Sequence, residues 1–288
     1  MRRGIMLAVL LAGIAPALRT QSVPAAVYTD PPADAAHPAR MEVLHIPSHG
    51  VSINGVLYAP SGAGTHPTIV ICHGLPGNEK NLDLAQAVRR AGWNAVTFNY
   101  RGSWGSPGSF RFAQNLEDAD AVLAFLREPA NATNLGIDTR RVVLAGHSMG
   151  GWVTALTAAH HHDLAGAILI SAADMGRIGE LPRDKRVPLM ADDMESLAGV
   201  TAASMAEEVG RNAKAWEFDN AVDGLKGLPL LVLSSNDGLA PQTDALVSAI
   251  QAKGGHDVKA IHQPTDHGWS DHRIFLEGAV IEWLGQLK

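Results

Sequence analysis

Arg141-Val142-Val143-Leu144-Ala145-Gly146-His147-Ser148-Met149-Gly150-Gly151 decides how the rest of the chain is read. The stretch opens as a β-branched, apolar run, breaks at Gly146 and resumes as a helical pattern from Met149. Between strand and helix sits a G-x-S-x-G sequence, residues 146–150. A serine on so sharp a turn has its hydroxyl presented above the sheet. Small residues are needed beside it because a Cβ at 146 or 150 would run into the adjacent strand and helix. The following helix directs its N-terminal dipole and free amides at the same point. Five-residue patterns of this kind arise by chance. The buried strand before this one and the helix after it mark Ser148 as a candidate nucleophile, in place of a merely tight turn.

With 288 residues, 46% hydrophobic and 18% charged, the chain has a globular composition and enough length for one large core or two modest ones. Its net charge of −6 argues against nucleic acid or an anionic membrane surface as partner. Arg2 and Arg3 precede an apolar run from Ile5 to about Leu18, too short to span a bilayer comfortably. Small residues around Ala15-Pro16-Ala17 and Val23-Pro24-Ala25 then allow cleavage. Residues 1–25 therefore read as a signal peptide, with export to a periplasmic or extracellular compartment and no stable membrane span after removal; an uncleaved N-terminal anchor is the alternative. The single cysteine, Cys72, lies inside an apolar run and reads as a small buried residue.

Residues 26–40, rich in Ala, Pro and Asp, read as an extended lead-in. Residues 41–47 and 51–59 alternate apolar and polar around His49-Gly50, the pattern of an antiparallel hairpin. Buried strands are expected at 68–72, 95–98, 167–170, 230–233 and 258–262, with helices at 82–90, 114–127, 243–252 and 274–287. Strands alternating with helices imply βαβ units and a mostly parallel sheet with helices on both faces. That rhythm breaks between Asp174 and Gly227, a stretch too long for a simple loop. A small helical insertion over the site is expected there, with one helix near 202–215.

In chain order, His73-Gly74, Asn99-Tyr100-Arg101-Gly102, the Gly146–Gly151 segment, Asp237 and His267 resemble the α/β-hydrolase superfamily over residues 41–288. Within it the chain looks most like exported serine esterases and dienelactone-hydrolase-like or prolyl-oligopeptidase-like hydrolases, which share the Tyr-Arg-Gly and the Gly-Gly after the serine. The resemblance implies an α/β-hydrolase fold: a mostly parallel eight-stranded sheet, helices on both faces, and a helical lid after strand six. No stretch of the 288 residues is left for the N-terminal propeller of the large oligopeptidases, which counts against an endopeptidase.

Ser148 needs a base to take its proton. Among 13 histidines, the resemblance selects His267, in a loop after the last strand where carboxyl ends of parallel strands converge. His272 is the alternative, expected to open the final helix; His262 is expected to pack within a strand. His147 is expected to point away from Ser148 and pack beneath it. Asp237, ending a buried strand before Gly238, is the candidate acid that orients the imidazole, with Asp174 as the alternative. Asp266 and Asp271 are expected in solvent. Oxyanion donors would be the backbone N–H of Met149 and, by resemblance, that of Leu75. Arg101 is expected to brace its loop on a carboxylate. Trp104 and Trp269 are expected to line the substrate pocket because their loops flank the site; Met190, Met194, Met205 and Trp216 are available from the insertion.

This reading calls for no cofactor and no metal. His160, His161 and His162 follow a helix, where cations suit the dipole, and consecutive helical positions point about a hundred degrees apart. The expected activity is hydrolysis of a small-molecule carboxylic ester through a Ser-His-Asp triad. An exo-acting peptidase or amidase with the same triad, or a non-catalytic binding protein on this fold, are the alternatives. Haloalkane and epoxide hydrolases carry Asp where this chain has Ser148. Acyl and alcohol preference and oligomeric state are not encoded in the periodicity.

Overall fold

Apolar runs in the middle of the chain have both faces covered, whereas the hairpin at its start has one. The computed structural model describes residues 23–287, so all but the last three positions of the expected signal peptide lie outside the described residues. Eight strands are present: β1 (Arg40–Ser48), β2 (Val51–Ala59), β3 (His66–Cys72), β4 (Asn94–Phe98), β5 (Ile137–His147), β6 (Gly166–Ile170), β7 (Leu230–Ser234) and β8 (Val258–His262). They form one sheet in the order β1-β2-β4-β3-β5-β6-β7-β8. β2 is antiparallel to β1 and β4, and all other pairings are parallel. β4, β6 and β7 are buried along their whole length, as unbroken apolar runs require, while β1 alternates buried and exposed.

Alternate residues of each central strand feed opposite cores. Ile69, Ile71, Val143 and Ile168 pack against α1 (Leu82–Arg90) and α10 (Arg273–Leu284). Val70, Leu144, Leu169 and Val232 face α2 (Phe112–Arg127), α4 (Met149–Ala158) and α9 (Ala240–Ala252). α9 starts three residues before the expected 243, because a proline in the first helical turn loses no hydrogen bond. A seven-residue helix, α3 (Pro129–Leu135), is too short to leave a periodic signal. Among the described residues no helix is long and apolar enough to cross a membrane.

The lead-in departs from the extended reading. Residues Ala25–Val27 form a 3-10 turn, and Arg90 at the end of α1 donates to the carbonyls of Ala26 and Val27. The 174–227 stretch holds α5 (Met175–Glu180), α6 (Arg183–Ala191), α7 (Ala202–Asn212), two 3-10 turns and α8 (Val222–Leu225). α7 begins with Thr201 and Ser204 capping one another, a local stop for the preceding loop. Arg101 is buried and braces its loop as expected. Its Nε donates to Asp118 Oδ1 at 2.7 Å, and Ser48 Oγ donates to the same oxygen at 2.5 Å. The contact ties the end of β1 and the turn after β4 to α2.

A second charge cluster, with only Glu277 buried, joins α1 to α10. Arg273 Nε donates to Asp83 Oδ2 at 2.7 Å, and its NH1 reaches the Gly268 carbonyl at 3.2 Å. Glu277, only 6% exposed, lies beside Asp83. Burial and the neighbouring carboxylate push Glu277 up to about 7 from the ordinary 4.5. Because its folded value lies above its unfolded one, the stability linked to Glu277 is fully present below about pH 4.5. That stability is lost as pH rises through 7. Urea unfolding at pH 5 and pH 8 is expected to show the native protein losing on the order of 1–3 kcal/mol relative to Glu277→Gln across that interval. Parallel pH profiles for the two proteins would contradict this account of the cluster.

Candidate active site

Ser148 lies between β5 and α4 with φ 57° and ψ −124°, a conformation that an L-residue holds only when its surroundings enforce it. The enforcement comes from backbone contact. A Cβ at Gly146 would lie 1.9 Å from the Gly150 carbonyl oxygen, and a Cβ at Gly150 would lie 2.1 Å from that of Cys72. Nothing larger than glycine fits at either position. Cys72 itself is fully buried and unpaired, with its thiol pushed up to about 12 by burial.

His267 follows β8 and Asp237 follows β7, so the parallel register carries both to the end of the sheet where β5 delivers Ser148. His267 Nδ1 and Asp237 Oδ2 are 2.8 Å apart. A carboxylate only accepts, so the proton resides on Nδ1 and the Nε2 lone pair is free, the tautomer a general base requires. The Asp237 side chain is 4% exposed. Burial opposes its ionisation, but His267, the Leu239 amide and the Ser235 hydroxyl outweigh that and hold it down at about 2. Ser148 and His267 share one cavity wall, and among the described residues no hydrogen bond joins them. Such contacts are often long before substrate arrives.

The alternatives are placed elsewhere. Asp174 caps α5, its two oxygens accepting from the amides of Gly176, Arg177 and Phe218, and among the described residues no histidine bonds to it. His272 precedes α10 and pairs with Asp271 at 2.9 Å. His262 ends β8 but is exposed, bonded to Ser234 and Asn236, because β8 is an edge strand with little covering it. His147 is buried and lies against His267, ring centroids 4.6 Å apart, where it supports the histidine loop more than the serine. Its Nε2 donates to the His267 carbonyl at 2.8 Å. Burial, with the nearby His267, holds His147 down at about 4, so it stays neutral.

Leu75 and Met149 both line the cavity, and among the described residues neither backbone N–H is engaged in a hydrogen bond. The Leu75 loop is held from behind: the Tyr100 hydroxyl donates to the His73 carbonyl at 3.2 Å and Trp104 Nε1 donates to Pro76 at 2.6 Å. The two tryptophans correct the sequence reading of the pocket, since neither lines it. Trp104 is turned to the outside of the loop with Lys80 over its ring at 4.1 Å. Trp269 is fully buried in the α1/α10 core, its Nε1 donating to Ser171 Oγ at 3.0 Å. Met205 and Trp216 are core residues as well, whereas Met190 reaches the cavity.

The cavity measures about 400 Å3, within the range of small-molecule sites. Its apolar wall comes mainly from the insertion, through Met175, Ile178, Leu181, Leu189 and Met190. Periodicity gave no sign of most of these, because α5 and α6 are short and their facing is set by tertiary packing. Asp193 is the exception in this wall. Burial, then the charges of Glu195 and Asp192, raise its carboxyl to about 6.

This sheet order, with a cavity at the carboxyl ends of its parallel strands, is that of the α/β-hydrolase fold. The model of the alpha/beta hydrolase family matches residues 69–276, and the chain belongs to that family. A curated relative, the quorum-quenching protein AidA of Acinetobacter baumannii, is 34% identical over 127 residues, 42% of this chain. The match spans 40% of that protein's length. The hyperthermophilic esterase of Pyrobaculum calidifontis superposes with a TM-score of 0.66 at 20% identity, covering 86% of each chain. An acylaminoacyl peptidase of Pyrococcus horikoshii gives a TM-score of 0.67 at 18% identity over 86% of this chain and 42% of that one. At such identities the likeness is one of fold.

The glycine contacts carry a direct test. Gly150→Ala is expected to destabilise the protein by about 1–3 kcal/mol or more through overpacking against Cys72. Gly227→Ala, whose Cβ meets nothing within 4 Å, should leave the urea midpoint nearly unchanged. Equal midpoints for the two variants would contradict the close approach at the turn.

Proposed function

We propose that the protein is a serine hydrolase of small carboxylic esters, working through Ser148, His267 and Asp237. The observation that carries the reading is the pairing of His267 with Asp237 on the wall of an apolar cavity that also contains Ser148. Ser148 Oγ adds to the ester carbonyl carbon as its proton passes to His267 Nε2. Asp237 stabilises the resulting imidazolium, and the N–H groups of Leu75 and Met149 stabilise the oxyanion. Collapse expels the alcohol, which takes the proton from His267, and leaves an acyl group on Ser148. Water, deprotonated by His267, then releases the carboxylic acid and restores the serine. The apolar wall from the insertion suits an uncharged acyl or alcohol group. The arginine-led apolar stretch over residues 1–25 supports export as the setting for this activity.

Asp193 favours a second reading, an exo-acting peptidase or amidase. A carboxylate in the cavity wall could receive a free amino group beside the scissile bond, which the same triad would cleave as an amide.

Hydrolysis of p-nitrophenyl acetate, butyrate and octanoate, set beside alanine p-nitroanilide, separates the two. Ester turnover is expected, reduced by about 10³-fold or more in Ser148→Ala. Faster anilide than ester cleavage, lost in both Ser148→Ala and Asp193→Asn, would favour the peptidase. Equal rates with and without Ser148 would overturn both.

A further inference from the structure

On the face away from the cavity, Asp120 of α2 meets two histidines that follow α4. Helical periodicity predicts that adjacent histidines diverge. α4 ends at Ala158, however, and the chain then tightens into turns, with His160 N bonded to the Thr157 carbonyl and His161 N to that of Ala158. The two imidazoles end up side by side, centroids 4.8 Å apart. His160 Nε2 is 3.1 Å and His161 Nε2 2.8 Å from the same oxygen, Asp120 Oδ1. One ligand atom from each residue falls within 4.8 Å of the other two.

The proton inventory of this cluster does not close by itself. His160 Nδ1 lies 3.0 Å from the Leu156 carbonyl, which can only accept, so that nitrogen carries the hydrogen. A neutral His160 ring then directs its Nε2 lone pair at a carboxylate oxygen, which is also an acceptor. Two acceptors 3.1 Å apart call for a cation between them, either an added proton or a metal ion. A ring held through Nδ1 by a backbone carbonyl, with Nε2 free, is how metal-ligating histidines are oriented. For His161 the structure holds two possible partners at Nδ1. Arg127 NH1 donates to it at 3.2 Å, and Asp163 Oδ1, itself paired with Arg127 at 3.0 Å, stands 3.9 Å away. When Nε2 binds a metal, the hydrogen moves to Nδ1, Arg127 NH1 turns away from that nitrogen, and the Asp163 carboxylate closes the 3.9 Å gap to accept it while keeping its pairing with Arg127. His160 and Asp120 are 57% and 43% exposed, so an ion can reach the cluster.

We propose that Asp120, His160 and His161 form a Zn²⁺ site. Two imidazoles and one carboxylate suit zinc better than calcium or magnesium, which prefer all-oxygen sets, and three protein ligands leave a position for water. Binding expels any proton held between His160 and Asp120 and shifts the His161 hydrogen from Nε2 to Nδ1. The ion would clamp α2 to the far end of the helix that starts at Ser148, so its effect is on stability. The Arg127 cation beside His161 opposes a second positive charge there and lowers the affinity.

Calorimetric titration of chelator-treated protein with ZnCl₂, together with thermal melts, tests this. The native protein and His162→Gln are expected to bind one equivalent and to melt at higher temperature with zinc. Asp120→Asn and His160→Gln should each weaken binding about tenfold or more and lose the shift in Tm. Their zinc-free melts and circular dichroism show whether they fold. No binding by the native protein would overturn the site. Binding that survives both substitutions would also overturn it, by locating the ion elsewhere.

Discussion

The structure depends on the contact between backbone and backbone at the turn after β5. Gly146 and Gly150 touch where a side chain would have to be, and Gly150 touches the end of β3. Ser148 is thereby held at positive φ, at a cost of order 1–3 kcal/mol that the packing of α4 must offset. Its backbone is fixed on both sides: Ser148 N donates to the Ile170 carbonyl at 3.0 Å, and Ala173 N donates to the Ser148 carbonyl at 3.0 Å. Any loosening of β3, β6 or α4 would therefore reach the hydroxyl.

The histidine is positioned by a different kind of force. His267 is in a loop, and polar contacts with buried and half-buried partners hold that loop from several sides. Asp237 accepts a hydrogen bond from its Nδ1, His147 donates to its carbonyl, and Arg273 donates to the carbonyl of Gly268. Arg273 is in turn anchored to Asp83, beside Glu277. Serine and histidine thus meet across one cavity while being supported by separate parts of the core, the serine by close packing and the histidine by hydrogen bonds.

What could be read in the sequence follows this division. Apolar runs such as 68–72 and 230–233 announce strands because burial on both faces leaves no room for polar residues, and the observed β3 and β7 enclose them. Ser148, Asp237 and His267 could be proposed together because each follows a strand end and their order matches a known pattern; the sheet then brings the three to one edge. Trp104 and Trp269 could not be placed, because both have positive φ, 48° and 60°, and hydrogen bonds to Pro76 and Ser171 decide where their rings go. The cavity wall was equally hidden. Leu181 and Leu189 are ordinary hydrophobics until the insertion folds over the sheet, and nothing local marks Asp193 as facing the cavity. His160 and His161 converge only because α4 stops two residues before them.

The central claim is that Ser148 is a nucleophile activated by His267. Its most direct measurement is labelling with a fluorophosphonate, which loses fluoride as an activated serine oxygen attacks phosphorus, followed by mass mapping of the adduct. The account predicts one adduct per chain, on Ser148, with labelling abolished in Ser148→Ala and slowed by orders of magnitude in a folded His267→Ala variant. An adduct on another residue, or labelling of Ser148 at an unchanged rate without His267, would contradict it.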